Sequence, residues 1–267
     1  MDASLLNALP RTPGVYIFRG DGTLPLYIGK SVNIRARVQS HWRAPDEARM
    51  LAQTRRVDFI ETAGEIGALL LEAELIKTHH PLFNIRLRRL HHLHSIRLLE
   101  THNALTPEIV SSQDTAIGQV QGLYGLFSSH RAAQEKLREL AQTHALCLAL
   151  LGLEKNSPRG CFGWQIKRCL GACVGLEERP SHDARLQHAL LEMKVHAWPY
   201  DGAIDLVERQ GDWVQKHRIQ DWRYQGTWCS RAQAQSGKAQ TRFDLDTYKI
   251  LVKPIMLQSV RLEPVPS

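Results

Sequence analysis

Hydrophobic and polar positions change period several times along the 267-residue chain. Over GVYIF (14–18) and LYIG (26–29), β-branched and aromatic residues stand between Gly and Pro, and the turn-rich RGDGTLP joins the two runs. They read as two strands of a hairpin. Alternation puts Val15 and Ile17 on one face and Tyr16 and Phe18 on the other, and sets Leu26 and Ile28 opposite Tyr27. Pairing then brings the two tyrosines together, and Gly29 lets the chain leave the second strand without steric cost. From about Ser31 the period lengthens. Ile34, Val38 and Trp42 form a helical apolar stripe, while Arg37 and His41 form another, facing a cleft beside the hairpin. On these spacings alone, an ordinary amphipathic helix on an ordinary hairpin explains the pattern equally well.

Farther on, IGALLLEAELI (66–76) is a helix apolar nearly all round, with Glu72 inside it. FNIRLRR (83–89) alternates as a strand, with Asn84, Arg86 and Arg88 on one face. HRAAQEKLRELAQTHALC (130–147) is an amphipathic helix. Residues 192–258 read as β-rich, with Trp, Tyr, Val and Ile alternating around the turns PYDG and RQGD. The expected fold is α+β in three parts: a small mixed domain over 10–98, a helical cysteine-bearing segment over 99–180, and a β-rich domain over 185–262.

Charge and cysteine usage narrow the chemistry. Lys plus Arg number 34 against 27 Asp plus Glu, a formal charge of +7 that favours an anionic partner such as nucleic acid or a membrane surface. No window is long and apolar enough for a membrane span, and MDASLLNALP lacks the regions of a signal peptide, so a cytoplasmic protein is expected. From Leu75 to Leu99 there is no acidic residue, and Lys77, Arg86, Arg88 and Arg89 offer a row that would track a DNA backbone; a solvated charged face is the alternative. HHLH (91–94) is read as loop or strand, because neither its spacing nor a neighbouring carboxylate makes a metal site.

Cys147, Cys161, Cys169 and Cys173 fall within 27 residues. In a reducing compartment this points to a metal rather than to disulfides. The gaps do not suit a zinc ribbon, but they do suit an irregular four-thiolate iron–sulfur site, with structural zinc or buried free thiols as alternatives. Cys229 has no nearby partner in the sequence.

The spacing GVY, YIGK, then Arg37 seven positions after Lys30, with Glu72 in a helix and Asn84 twelve residues later, resembles the GIY-YIG nuclease domain over roughly residues 12–88. The resemblance implies a DNA endonuclease in which Glu72 is the one acidic metal ligand, Asn84 an orienting amide and Arg37 the group that stabilises the transition state. A carboxylate in so apolar a helix calls for compensation, which a hard ion such as Mg²⁺ or Mn²⁺, completed by water and phosphate oxygens, would supply; snorkelling of Glu72 to the surface is the alternative. Tyr16 and Tyr27 are both candidates for general base, with Tyr27 favoured beside Lys30 and its phenol expected to be lowered towards neutrality. His41 stands where similar members carry tyrosine, and a hydrogen bond to the base or the leaving oxygen is expected of it.

The segment from LYGLFSSHRAAQEKLRELAQTHALC to CFGWQIKRCLGACVG is similar to the middle of UvrC, the incision subunit of bacterial nucleotide excision repair. With a single nuclease domain and a β-rich end, the chain looks like the short, stand-alone homologues of that subunit's N-terminal half. The resemblance implies incision of damaged double-stranded DNA on the 3′ side of a lesion, in a complex with the damage-loading helicase subunit UvrB. A GIY-YIG enzyme of restriction or mobile elements, or a non-catalytic DNA-binding or redox-sensing module, are the competing readings.

Overall fold

Tyr16 pairs with Gly29 and Phe18 with Tyr27 across the expected antiparallel hairpin of β1 (Gly14–Arg19) and β2 (Pro25–Ser31). The computed structural model describes residues 6–84, 92–101, 104–155, 157–231 and 238–266. One compact unit combines residues 1–89 with 198–267, and a second comprises residues 90–197. The hairpin register slips between Phe18 and Arg19, so Leu26 is an extra residue. It therefore packs with Tyr16 and Phe18 rather than sharing Ile28's side, as strict alternation predicts.

Ser31 closes β2 instead of opening a helix; its hydroxyl accepts the Asn33 N–H at 2.9 Å. Asn33 then caps α1 (Ile34–His41), its Oδ1 accepting the Ala36 N–H at 3.0 Å. After α2 (Ala48–Gln53), β3 (Arg56–Glu61) pairs with β1 to give the sheet order β2-β1-β3. Ile34, Val38 and Met50 cover one face of this sheet, against Tyr16 and Phe18. The other face, with Val15, Ile17 and Ile28, packs on Leu71 and Ile76 of α3 (Glu65–His79).

The second unit is less helical than expected. β4 (His94–Thr101), β5 (Ala104–Ser111), β6 (Leu123–Phe127) and the short β7 (Lys194–Val195) form an antiparallel sheet ordered β5-β4-β6-β7. β4 runs through position 98, where the first expected domain ended. Its far end is exposed, so the period-2 signal fades after Ile96. α4 (His130–Thr143) is capped by Ser129; the one-turn α5 (Phe162–Gln165) and α6 (Arg179–Leu190) follow. Leu137, Leu140, Leu146, Leu186 and Leu190 close the core over Ile96.

The C-terminal stretch completes the first unit. β8 (Ile204–Gln210), β9 (Trp213–Gln220), β10 (Arg223–Cys229) and β11 (Arg261–Pro264) form an antiparallel sheet ordered β10-β9-β8-β11. The RQGD turn lies between β8 and β9, as expected. Inside the stretch read as β-rich lies a helix, α7 (Leu245–Met256), capped by Asp244, whose Oδ1 accepts the Thr247 N–H at 3.0 Å.

α3 is where the two ends of the chain meet. Its N-cap is Gly64, which has no side chain to accept the helix's first N–H groups. Glu208 of β8 does so instead: Oε1 accepts from Ile66 N–H at 2.8 Å and Oε2 from Gly67 N–H at 2.7 Å. His217 Nε2 lies 3.1 Å from the same Oε2, and Gln215 Oε1 accepts the Ala63 N–H at 2.8 Å. A Cβ on Gly64 would lie 2.2 Å from Glu208 Oε1, so this approach requires glycine. α7 packs on the same helix. The apolar character all round α3 follows, since Ile66, Leu70, Leu71, Ala73 and Ile76 are buried between partners on both sides. A fragment of residues 1–98 would lack this cap and bare that face.

Burial presses the Glu208 carboxyl upward, but His217 and the two N–H groups outweigh it and hold it below the ordinary carboxylate range. Glu208→Ala should therefore cost roughly 2–4 kcal/mol in urea unfolding at neutral pH, because two buried donors lose their acceptor. A depressed carboxyl contributes stability above its unfolded pKa and loses it as pH falls through the folded one. The gap between parent and variant should thus be full at pH 7 and shrink steadily below about pH 4.3.

Candidate active site

Tyr16 and Tyr27 lie over Gly29, and this close approach explains the glycine. A Cβ there would sit 2.3 Å from the Tyr16 hydroxyl and 2.8 Å from Tyr27 Cε1. Tyr16 is 1% exposed and Tyr27 half-buried at the rim. The Tyr16 hydroxyl lies 2.7 Å from His41 Nε2, and the Tyr16 and Tyr27 ring centroids are 6.2 Å apart. His41, itself 1% exposed, contacts the Glu47 carboxylate through Nδ1. Burial holds His41 below its ordinary pKa, against the pull of Glu47. The neutral ring then carries its proton on Nδ1 towards Glu47 and accepts the Tyr16 O–H at Nε2.

Two expectations are corrected here. His41 is enclosed behind Tyr16 rather than lining a cleft, and both of its ring nitrogens are engaged, so it meets a candidate base but no leaving oxygen. The phenols are not lowered by the protein's own groups. Burial, and then Tyr27, raise Tyr16; burial, and then the Glu72 charge, raise Tyr27. The Lys30 ammonium is turned to Glu65, at 2.5 Å. Arg37 is exposed, as expected of a group that must reach phosphate, and its bond to Tyr16 raises its already high pKa.

Glu72 sits half-buried on α3, where its Oε1 accepts the main-chain N–H of Lys30 at 2.9 Å. Burial pushes its carboxyl above the ordinary range, against that bond and the charges of Lys30 and Arg37. No cation of the described residues lies within ion-pair distance of it. Asn84 clamps the strand between Tyr27 and Gly29: its Oδ1 accepts the Ile28 N–H at 2.9 Å and its Nδ2 donates to the Ile28 carbonyl at 2.8 Å. The amide thus orients β2 itself. Lys77, expected on the DNA face, is instead 13% exposed and bound to Asp244 and Asp246, each at 2.7 Å. Its charge is already neutralised by α7. Arg86, Arg88 and Arg89 lie outside the described residues.

In the second unit, the four cysteines converge. Cys147 Sγ and Cys169 Sγ each lie 3.6 Å from Cys161 Sγ, and the sulfurs of Cys147, Cys161 and Cys173 lie within 4.8 Å of one another. The Cys161 N–H points to Cys173 Sγ at 3.3 Å. Burial pushes Cys147 up to about 12 and Cys169 up to about 11. Cys161, against burial, is held below the ordinary thiol range by the Trp164 N–H and the neighbouring thiols, while the two raised sulfurs become thiolates only beside a cation. Sequence reasoning missed the support behind them: buried His182 accepts the Cys147 N–H at 3.1 Å and leans on Asp183 at 3.2 Å. With its nitrogens so engaged, His182 adds no ligand, and the donor set is sulfur alone. Cys229 lies apart and accepts from Trp213 Nε1 at 2.9 Å.

Three family models match most of the chain, in register with these features. The profile described as UvrC-like GIY-YIG domain matches residues 12–85, UvrC/Cho excinuclease middle domain residues 93–192, and excinuclease Cho C-terminal domain residues 203–267. Excinuclease cho of Escherichia coli O6:H1 is 46% identical over 98% of this chain and 90% of its own. The chain belongs to the excinuclease Cho family. UvrABC system protein C of Thermus thermophilus is 35% identical over 78% of this chain and 34% of its own length. The N-terminal endonuclease domain of UvrC from Thermotoga maritima, solved bound to magnesium as its catalytic cation, is 32% identical; it covers 32% of this chain and all of that domain, with a TM-score of 0.30.

Two features of this Cho-family chain were not legible from motif spacing. Glu47 holds no motif position, and Glu208 lies 142 residues from the helix it caps. The Gly29 contact gives a direct test. Gly29→Ala should displace Tyr16 or Tyr27, and nicking of duplex DNA should fall by more than the accompanying drop in Tm accounts for. A Gly29→Ala chain as active as the parent would show that the tyrosines need not lie against β2.

Proposed function

We propose that this chain nicks the damaged strand of duplex DNA on the 3′ side of a lesion, in the cytoplasm, on substrate presented by the damage-loading subunit UvrB. The carrying observation is the arrangement around Glu72: a half-buried carboxylate fixed by the Lys30 N–H, with Tyr27 and Arg37 within electrostatic reach. A single protein carboxylate whose charge is left uncompensated fits a hard divalent ion, Mg²⁺ or Mn²⁺, whose remaining positions go to water and phosphate. Bound there, the ion would supply Lewis-acid stabilisation of the leaving oxygen. Tyr27, at the rim, is the candidate base: a cation held at Glu72 would offset the carboxylate charge that raises this phenol, and the phenolate would then take the proton of the attacking water; Tyr16 is enclosed and its hydroxyl is committed to His41. Arg37 forks onto the non-bridging oxygens as charge develops. Asn84 keeps Tyr27 in place through the Ile28 backbone. Full-length likeness to excinuclease Cho speaks for repair over restriction or mobile-element cleavage.

Glu72→Gln keeps the shape and removes the charge. Incision of a lesion-bearing duplex should fall by on the order of 10²-fold or more while duplex affinity holds. Arg37→Ala should likewise lower kcat with little change in Kd, because its contact tightens in the transition state. Near-parental rates for Glu72→Gln in Mg²⁺ would refute the assignment. Incision by the parent chain that is indifferent to UvrB would refute the partner.

The all-sulfur donor set of the second unit suits iron–sulfur or zinc rather than a hard ion. We assign it a [4Fe-4S] cluster, for which the sulfurs would have to spread, since 3.6 Å is close to the edge of a tetrahedron about one ion bound at about 2.3 Å. Anaerobically purified protein should be brown and contain iron and sulfide. Cys169→Ser should lose the colour and destabilise the second unit, since binding there is also folding free energy, whereas Cys229→Ser should change neither. Colourless protein holding zinc would make the site a structural zinc centre.

A further inference from the structure

Around the four sulfurs the chain turns an apolar and basic surface outward. Among the described residues, four of the fourteen exposed large apolar side chains fall within 162–176: Phe162 (58% exposed), Ile166 (41%), Leu170 (53%) and Leu176 (67%). Local geometry gathers them. Ile166 N–H bonds the Phe162 carbonyl at 3.1 Å, one turn apart, and Leu176 N–H bonds Gly171 O at 3.1 Å, beside Leu170. Phe162 and Leu170 each follow a cysteine, and those two sulfurs are the Cys161–Cys169 pair at 3.6 Å. Trp164 is turned the other way, packed so closely that a Cβ on Gly160 would lie 2.7 Å from its ring. The outward chains are thus not the leftover of an unfilled core.

Between them stand cations. Lys155, Arg159, Lys167 and Arg168 are all exposed, and no acidic residue occurs from 155 to 176. No described carboxylate pairs with any of the four, whereas Lys77, Lys216 and Arg218 in the first unit are each neutralised. One carboxylate adjoins the patch, Glu154, whose Oε2 accepts the Phe162 N–H at 2.8 Å. Four cations beside it, none in an ion pair, fit a polyanion, and Phe, Ile and Leu flanked by Lys and Arg are the side chains that wedge between base steps and unstack them. A duplex already unstacked at a lesion would lose less by such insertion.

We propose that this surface over the cysteine site is a second DNA contact, in which Lys167 and Arg168 neutralise phosphates while Phe162 and Leu170 insert at a locally unstacked step. The proposal rests on the repair-nuclease reading and deepens it: the surface would recognise distortion in the duplex, apart from the residues around Glu72.

Binding is measured by fluorescence anisotropy with the full chain carrying Glu72→Gln, so that no strand is cut, on duplexes with and without a two-base mismatch bubble. Lys167→Ala with Arg168→Ala should shallow the slope of log Kd against log salt by about 1.8, two phosphates' worth, on both duplexes. Phe162→Ala with Leu170→Ala should weaken bubble binding by about tenfold and intact-duplex binding by less than about twofold. Metal content and Tm serve as controls. If the apolar pair fails to fold, Lys167→Glu with Arg168→Glu carries the test through affinity alone, with loss expected. Isotherms superimposable on the parent would overturn the proposal. So would unchanged DNA binding together with loss of UvrB-dependent incision when the same surface substitutions are placed in the chain that keeps Glu72, which would make the surface a dock for an acidic protein. Absence of incision by the parent chain would instead count against the nuclease reading, leaving the binding result to be judged separately.

Discussion

The bidentate grip of Glu208 on the first N–H groups of α3 is the contact on which the nuclease geometry depends. Glu72 lies on that helix, and its carboxylate reaches the main chain of β2 only while the helix stays in register with the sheet. Lys77, near the other end of the same helix, is bound by Asp244 and Asp246 of the last helical segment. The helix is therefore fixed at one end by a carboxylate on a strand and near the other by two carboxylates at a helix start. Each grip comes from the C-terminal stretch. Bonds of this kind, between buried charge and backbone donors, are stronger than neutral ones and very unfavourable to half-remove.

The hairpin side of the site is held by contacts of a different kind. Asn84 makes a two-way amide pair with Ile28, and both tyrosine rings close over a residue that cannot carry a Cβ. Behind them, half-buried Glu47 and buried His41 and Tyr16 form a polar chain. Tyr16 is thereby made rigid and Tyr27 left at the rim. Two tyrosines that look equivalent in the sequence acquire different surroundings, and with them different chemistry.

How much of this could be read beforehand depended on whether a residue acts through its neighbours in sequence or through distant ones. The hairpin, the Ile34–Val38–Trp42 stripe and the α3 pattern are local periodicities, and they survive in the structure. The convergence of the four sulfurs was also foreshadowed, because their closeness in sequence limits where they can go. Lys77 failed as a DNA residue because its partners lie 167 and 169 positions away, where no spacing argument reaches. α7 was hidden by its Ile and Val, which read as strand, and by Pro254, which speaks against a helix interior, although Asp244 and Thr247 mark its start. The turn at Asp221 and Trp222 was hidden too: φ values of 52° and 60° usually call for Gly or Asn, and nothing in the letters betrays a tryptophan there.

Because the first unit is assembled from residues 1–89 and 198–267, its N-terminal half meets its packing partners only after residues 198–267 have been made. The nascent N-terminal segment emerges from the ribosome with the start of α3 uncapped, and Glu208 follows 142 residues after Ile66. Joining ends so far apart raises contact order and slows the closing step, while residues 90–197 have their own core and time to fold first. A truncated product of interrupted translation would lack the contacts that hold the Glu72 helix in place. That order of assembly leaves the helix carrying Glu72 without its C-terminal partners until synthesis is nearly complete.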